Sequence, residues 1–213
     1  MMKLYGAARS SASFRVRIAL NLKRLPFEAV AVSLVKSEQL TDTFRALNPA
    51  ELVPVLEHDG HQLTQSLAIM EYLDEAHPGP KLMPADPLQR AYVRALSQLI
   101  ACEIHPLNNL RVLRYLKHDL ALTEEQKDGW YRHWVERGLA QLEAFVLAEG
   151  RSSRFMLADQ VTLADVLLVP QIFNARRFNC SLEHVPTVMR IFDACMALPA
   201  FEQARPEQQA DFV

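Results

Sequence analysis

The sequence of 213 residues predicts a mixed α/β domain followed by an all-α domain. Three observations predict this. Short apolar strand runs alternate with helical patterns over residues 3–77. Two proline clusters then follow, Pro78-Gly79-Pro80 and Pro84-Ala85-Asp86-Pro87, and mark a stiff, irregular stretch. After them every periodic segment has helical spacing. Domains are therefore expected at 1–80 and 88–213, with 81–87 as the linker.

The elements follow in order. Lys3–Gly6 is a short strand. Ser11–Lys23 is helical, with Val16, Ile18, Ala19, Leu20 and Leu22 apolar and Arg15, Arg17, Asn21 and Lys23 polar. Pro26 opens a second strand over 27–32. Gln39–Leu47 is a short helix closed by Asn48-Pro49. Val55–His58, the turn Asp59-Gly60 and Gln62–Thr64 form a hairpin. Residues 66–77 are a helix with Glu71 and Asp74 outward and Ser66 as its cap. The order βαβαββα matches a thioredoxin-like domain. Beyond the linker, one long helix is expected over Leu88–His118 with Pro106 inside, and another over Thr123–Ala148 with a Thr123/Gln126 capping box. Helices at 162–178 and 187–198 complete the chain, the first opened by the box Thr162-Leu163-Ala164-Asp165.

Bulk properties exclude several classes. Half the residues are hydrophobic, enough for a substantial core. A net charge of −2 argues against nucleic-acid binding, which needs a basic patch. No apolar run approaches the roughly 20 residues of a membrane span. The first residues read directly into a strand, so no signal peptide is expected. Cys102, Cys180 and Cys195 are odd in number and scattered, with no disulfide framework and no metal-ligand spacing. A reducing, cytoplasmic setting is expected.

Two motifs point to a ligand. In Leu52-Val53-Pro54-Val55-Leu56 a proline stands where a strand begins, as proline in sheets does. A tight turn there, a frequent place for a cis bond, leaves the backbone of Val53 able to pair with an extended peptide. In Gln65-Ser66-Leu67-Ala68-Ile69 a helix starts, and the free N–H groups of a helix start attract a carboxylate. Together they suit a small anionic peptide; an edge-strand proline and an ordinary cap would read the same way. The loop Arg9-Ser10-Ser11-Ala12-Ser13 between first strand and first helix holds hydroxyls and no cysteine. It cannot act as a dithiol oxidoreductase. Hydroxyls at a helix start can, however, stabilise the thiolate of a bound ligand.

These residues resemble the glutathione transferase superfamily, in which a V-P strand start and a (Q/E)-S helix start hold glutathione. Within it, Ser10-Ser11-Ala12-Ser13-Phe14-Arg15-Val16-Arg17-Ile18-Ala19-Leu20 is similar to the zeta-class run S-S-C-S-W-R-V-R-I-A-L, with Ala12 in place of the class cysteine. Val169-Pro170-Gln171 through Arg177-Phe178 resembles the zeta-class V-P-Q-x-x-x-A-x-R-F. The resemblance covers nearly the whole chain.

It implies glutathione as a cofactor held by Val53, Pro54, Gln65 and Ser66. It also implies Ser10 and Ser11 as the groups that activate the sulfur. His105-Pro106-Leu107-Asn108-Asn109, a polar run beside a kink, is similar to a class segment H-P-x-x-N facing glutathione, which brings in His105 and Asn109 as ligands. Arg177 stands at the class position that binds the substrate carboxylate, and Arg9 supplies a second cation for a diacid. Asp165 is implied to be a structural cap. The implied activity is glutathione-dependent cis–trans isomerisation of maleylacetoacetate by a cytoplasmic homodimer. The alternatives are isomerisation of maleylpyruvate, weakened by Leu110 where the bacterial members acting on it have arginine, or a conjugating or dehalogenating reaction. A non-catalytic interaction protein is a further alternative, and retention on glutathione resin separates it from the rest.

Overall fold

The computed structural model describes residues 1–212. The chain forms two compact units, Met1–Leu82 together with residues 197–212, and Met83–Met196. Residues from 197 onward thus belong with the first unit, whereas the sequence pattern had grouped them with the helical domain.

In the first unit, β1 (Met2–Gly6) is one of the two inner strands of a four-stranded sheet. It pairs in parallel with β2 (Phe27–Ala31) and antiparallel with β3 (Val55–His58). Strand β3 pairs antiparallel with β4 (His61–Thr64), giving the order β2-β1-β3-β4. Opposed residues alternate between faces. Tyr5 and Val55 face one way, toward Phe44 and Leu47 of α2 (Asp42–Leu47). Leu4 and Leu56, opposed one position along, face the other way and are buried. Helices α1 (Ser11–Leu22) and α3 (Ser66–Ala76) pack on each other.

The polar residues of α1 are not a solvent face. Arg15, Arg17 and Lys23 are all buried, as is Asp74 of α3, which the sequence pattern had outward. Helix α1 has apolar residues on every side, so its long cations must pass inward and find partners. Lys23 Nζ lies 3.2 Å from Asp74 Oδ1 and donates to the Pro80 carbonyl, tying the two helices together. Asp74 Oδ1 also accepts from the Leu82 N–H at 2.8 Å. A buried charge persists only when paired in this way.

The second unit holds α4 (Pro87–Gln98), α5 (Leu110–His118), α6 (Glu124–Glu149), α7 (Leu163–Arg177) and α8 (Pro186–Met196). The single long helix expected over 88–118 is broken. A π-helical stretch spans Leu99–Ile104 and a 3-10 turn spans His105–Asn108 before α5 begins. Pro106 has no N–H for the ladder and its ring crowds the preceding turn. Packing reinforces the wide turn: a Cβ on Gly138 of α6 would stand 2.4 Å from Ile104 Cγ1, so only glycine admits the helix there. Trp130 Nε1 donates to the Leu107 carbonyl at 2.8 Å and fixes the turn. A short helix α9 (Pro199–Glu202) returns to the first unit, where Asn21 donates to the Ala200 carbonyl at 3.1 Å. No helix among the described residues is long and apolar enough to cross a membrane.

Candidate active site

Ser10 is the N-cap of α1. Its Oγ accepts from the Ser13 N–H at 3.2 Å, and its own hydroxyl hydrogen stays available to a ligand. Ser11 is the first helical residue and is buried. No acidic side chain stands in the first turn of α1, so the positive helix end is not neutralised locally. Gly6, just before the loop, has no room for a side chain: a Cβ would lie 2.9 Å from Ser13 Oγ.

The Val53–Pro54 peptide bond is cis. The ladder between β1 and β3 starts at Tyr5 and Val55, so Val53 lies outside it. Val53 itself packs on Val32, Phe44 and Val55, which anchors its side chain while its backbone precedes the strand.

Ser66 is not the cap of α3. The cap position is Gln65, at φ 66° and ψ 115°, and its side chain makes no capping hydrogen bond. This conformation, rare for a residue with a side chain, turns the chain so that Ser66 becomes the first helical residue. Ser66 Oγ then accepts from Arg15 Nη1 at 3.3 Å. No acidic residue occupies the first turn of α3. Its start is therefore lined by backbone donors, a hydroxyl and a guanidinium, and it lacks an anion of its own. Gln65 is exposed beside it. Arg15 is the residue that sequence reasoning missed. The signal was its place on a helix apolar all round, where an arginine must have an interior partner.

The structure thus joins the starts of α1 and α3 through Arg15 and Ser66. Arg9 is exposed, with its guanidinium carbon 4.9 Å from the centroid of the Phe212 ring.

The remaining candidates lie in the second unit. His105 opens the 3-10 turn and is half-buried. Asn109 caps α5, with Oδ1 accepting from the Arg111 N–H at 3.2 Å. Leu110 is the first residue of α5 and is exposed. Arg177 ends α7, exposed, with its guanidinium carbon 5.3 Å from the Phe178 ring centroid. Asp165 is fully buried and accepts from the N–H groups of Met156 (2.8 Å) and Thr162 (2.7 Å) and from the Thr162 hydroxyl (2.8 Å). Burial pushes its carboxyl up to about 6, and the same hydrogen bonds pull against that rise.

Comparison with known proteins places the chain in a family. Residues 4–81 match the family described as glutathione S-transferase, N-terminal domain. A protein of Vibrio cholerae named as a probable maleylacetoacetate isomerase is 47% identical over 98% of this chain and 97% of its own length. A holo structure of maleylpyruvate isomerase, described as a bacterial glutathione transferase of the zeta class, superposes with TM-score 0.97 at 44% identity over 99% of this chain and 100% of that one. A maleylacetoacetate isomerase of Methylobacterium extorquens AM1, solved with bound malonate and glutathione, gives TM-score 0.95 at 40% identity over 97% of each chain. With likeness of this extent along its whole length, the chain belongs to the zeta class of the glutathione transferases.

Proposed function

We propose that the protein is a glutathione-dependent cis–trans isomerase that converts maleylacetoacetate to fumarylacetoacetate in aromatic amino-acid catabolism. One observation carries the reading. The start of α3 offers backbone donors, the Ser66 hydroxyl and the Arg15 guanidinium, and has no acidic residue of its own in its first turn. That donor set fits the α-carboxylate of a γ-glutamyl group. The backbone of Val53, ahead of the Pro54 strand start, fits the peptide part as an added strand. Gln65 contacts the same γ-glutamyl end, and His105 and Asn109 complete the proposed ligand set.

Glutathione supplies the thiolate that adds to the activated alkene, leaves a single bond free to rotate, and departs on elimination. The protein's task is to make that sulfur ionise. Ser10 donates its hydroxyl hydrogen toward it, and Ser11 and the positive start of α1 favour the charged form. Arg9 and Arg177 hold the carboxylates of the diacid, where a guanidinium fork matches the planar group. Charge that develops on the substrate is met by these fixed cations. Cys102, Cys180 and Cys195 are free thiols, which supports a reducing, cytoplasmic setting. The proposed assembly is a homodimer, the usual state of the class.

Maleylpyruvate is the second reading, favoured by the likeness to a maleylpyruvate isomerase at TM-score 0.97. The exposed Leu110 stands against it. Both substrates are to be assayed with and without glutathione. Turnover is expected only with glutathione and to be faster on maleylacetoacetate. Turnover without glutathione would sink the reading, and a faster rate on maleylpyruvate would reverse the substrate order.

A further inference from the structure

The loop that carries Ser10 is held from outside itself. Arg17, 4% exposed, donates from Nη1 to the Ala7 carbonyl at 3.3 Å and from Nη2 to the Ala8 carbonyl at 2.9 Å. Its Nε donates to the Ala204 carbonyl at 3.0 Å. The Ala8 N–H donates to Asp211 Oδ2 at 2.9 Å, and the Ala7 N–H to Ser13 Oγ at 3.4 Å. Each backbone polar group of Ala7 and Ala8 thus meets a side chain, three and two positions before Ser10, and the Ala7 carbonyl also accepts from the Ser10 N–H at 3.1 Å. The next residue along from Asp211 is Phe212, whose ring lies under Arg9. Consecutive residues of one segment therefore touch consecutive residues of the loop.

This arrangement is more than an anchor for the 204–212 segment. An anchor needs one bond, from Arg17 Nε to Ala204. The two remaining nitrogens instead span successive carbonyls, and a planar fork on two carbonyls fixes both peptide planes at once. It does so at a cost. Burial pushes the guanidinium down to about 10, with the Asp211 charge acting in the opposite direction. A flexible or neutral group would avoid that cost but would not set the orientation.

We propose that Arg17, Asp211 and Phe212 are positioning residues for the reaction: Arg17 and Asp211 set the Ser10 hydroxyl against the sulfur, and Phe212 sets Arg9 against the substrate carboxylate. The proposal rests on the roles given above to Ser10 and Arg9. Its consequence is a division of labour between neighbours. Asp211 governs the acidity of the bound thiol and the turnover number, whereas Phe212 governs the Michaelis constant for the acidic substrate.

The test uses the whole chain with glutathione and maleylacetoacetate, and the variants Asp211→Ala, Asp211→Asn, Arg17→Lys and Phe212→Ala. Thiolate absorbance against pH gives the thiol pKa, calorimetry gives glutathione affinity, and steady-state rates give kcat and KM. Asp211→Ala is expected to raise the bound thiol's pKa and to lower kcat about tenfold, since misplacing a group that acts at the reacting centre can cost up to about a hundredfold. Glutathione affinity should hold. Asp211→Asn, which keeps an acceptor oxygen, should recover part of the loss. Phe212→Ala should leave the pKa in place and raise KM about threefold, the size of an exposed cation–π contact. Should Asp211→Ala not fold, Arg17→Lys carries the same expectation, because lysine keeps the charge and loses the fork. A wild-type thiol pKa equal to that of free glutathione overturns the Ser10 reading, and this proposal with it. A depressed wild-type pKa that neither Asp211→Ala nor Arg17→Lys moves overturns the positioning role alone. The same holds if Asp211→Ala and Phe212→Ala change pKa, kcat and KM alike.

Discussion

Two helix starts in this molecule, each with a hydroxyl residue at its head, are put to opposite ends. Helix α7 begins at Thr162 and Asp165, and α3 begins at Gln65 and Ser66. Thr162, Asp165 and Ser66 are buried, Gln65 is exposed, and both starts present backbone N–H groups. At α7 the chain supplies its own carboxylate: Asp165 takes three hydrogen bonds from Met156 and Thr162. At α3 the chain supplies more donors, the Ser66 hydroxyl and Arg15, and no acceptor of that kind. A start answered internally is finished as structure. A start surrounded by donors still lacks its anion, and that lack is what makes it a binding site.

The contrast breaks most easily at its closed end. Asp165→Ala leaves three buried donors without a partner, at about 1–3 kcal/mol each and with partial relief by water. Loss of about 3–5 kcal/mol of stability is expected in urea unfolding. An Asp165→Ala protein with wild-type stability would mean that the two starts do not differ as argued.

At the open end the expected loss is of ligand. Ser66→Ala takes one acceptor from the buried Arg15 and should lower stability by less than Asp165→Ala does, while weakening glutathione binding roughly tenfold to a hundredfold, the value of a hydrogen bond to a charged group at about 1.5–3 kcal/mol. Unchanged affinity by calorimetry would remove the assigned pocket.

Helix α7 also carries a contrast between its own two ends. Its start is closed, and its last residue, Arg177, is exposed. Arg177→Ala should raise KM for maleylacetoacetate about tenfold, the value of a charge-assisted bond, while glutathione affinity stays put. Arg177→Lys should restore only part. Equal damage to an uncharged electrophile such as a chlorinated nitrobenzene would assign Arg177 to the fold or the cofactor. The search for the carboxylate site would then move to Arg9, His105 or Arg111.

The smallest effect is expected at α6, closed like α7 but at an exposed position. There Thr123 and Gln126 form a reciprocal box, with N–H to oxygen distances of 3.2 and 2.9 Å. Thr123→Ala should cost about 1 kcal/mol, as exposed caps do, and leave turnover untouched. A loss as large as that at Asp165 would show that burial is not what separates the two boxes.

Much of this was legible in the sequence because it rests on local chemistry. A proline at a strand start, hydroxyls before a helix and Thr-x-x-Asp before an apolar run each act within a few residues of themselves. The strands, the hairpin turn and the box at Thr162 therefore lie where their patterns put them, with ends shifted by a residue or two. The break in 88–118 was half visible. Pro106 announced a kink, but the width of the turn depends on Gly138, which is distant in the chain and close in space.

What the tertiary structure decided is where long polar side chains go. Arg15, Arg17, Lys23 and Asp74 read as an outward face, and all four are buried. Periodicity records which positions are polar. It does not record whether a second helix, or a segment nearly two hundred residues away, will cover them. The sequence by itself determined the alternation of elements, the two open helix starts and the absence of a thiol in the loop at Ser10. Only the packing of α1 against α3 and of the 197–212 segment against α1 turned three cations inward, onto Ser66, Asp74 and the carbonyls of Ala7 and Ala8. Burial is a property of the whole assembly of surfaces, and a charge taken out of water must be matched by whichever groups that assembly brings within about 3 Å.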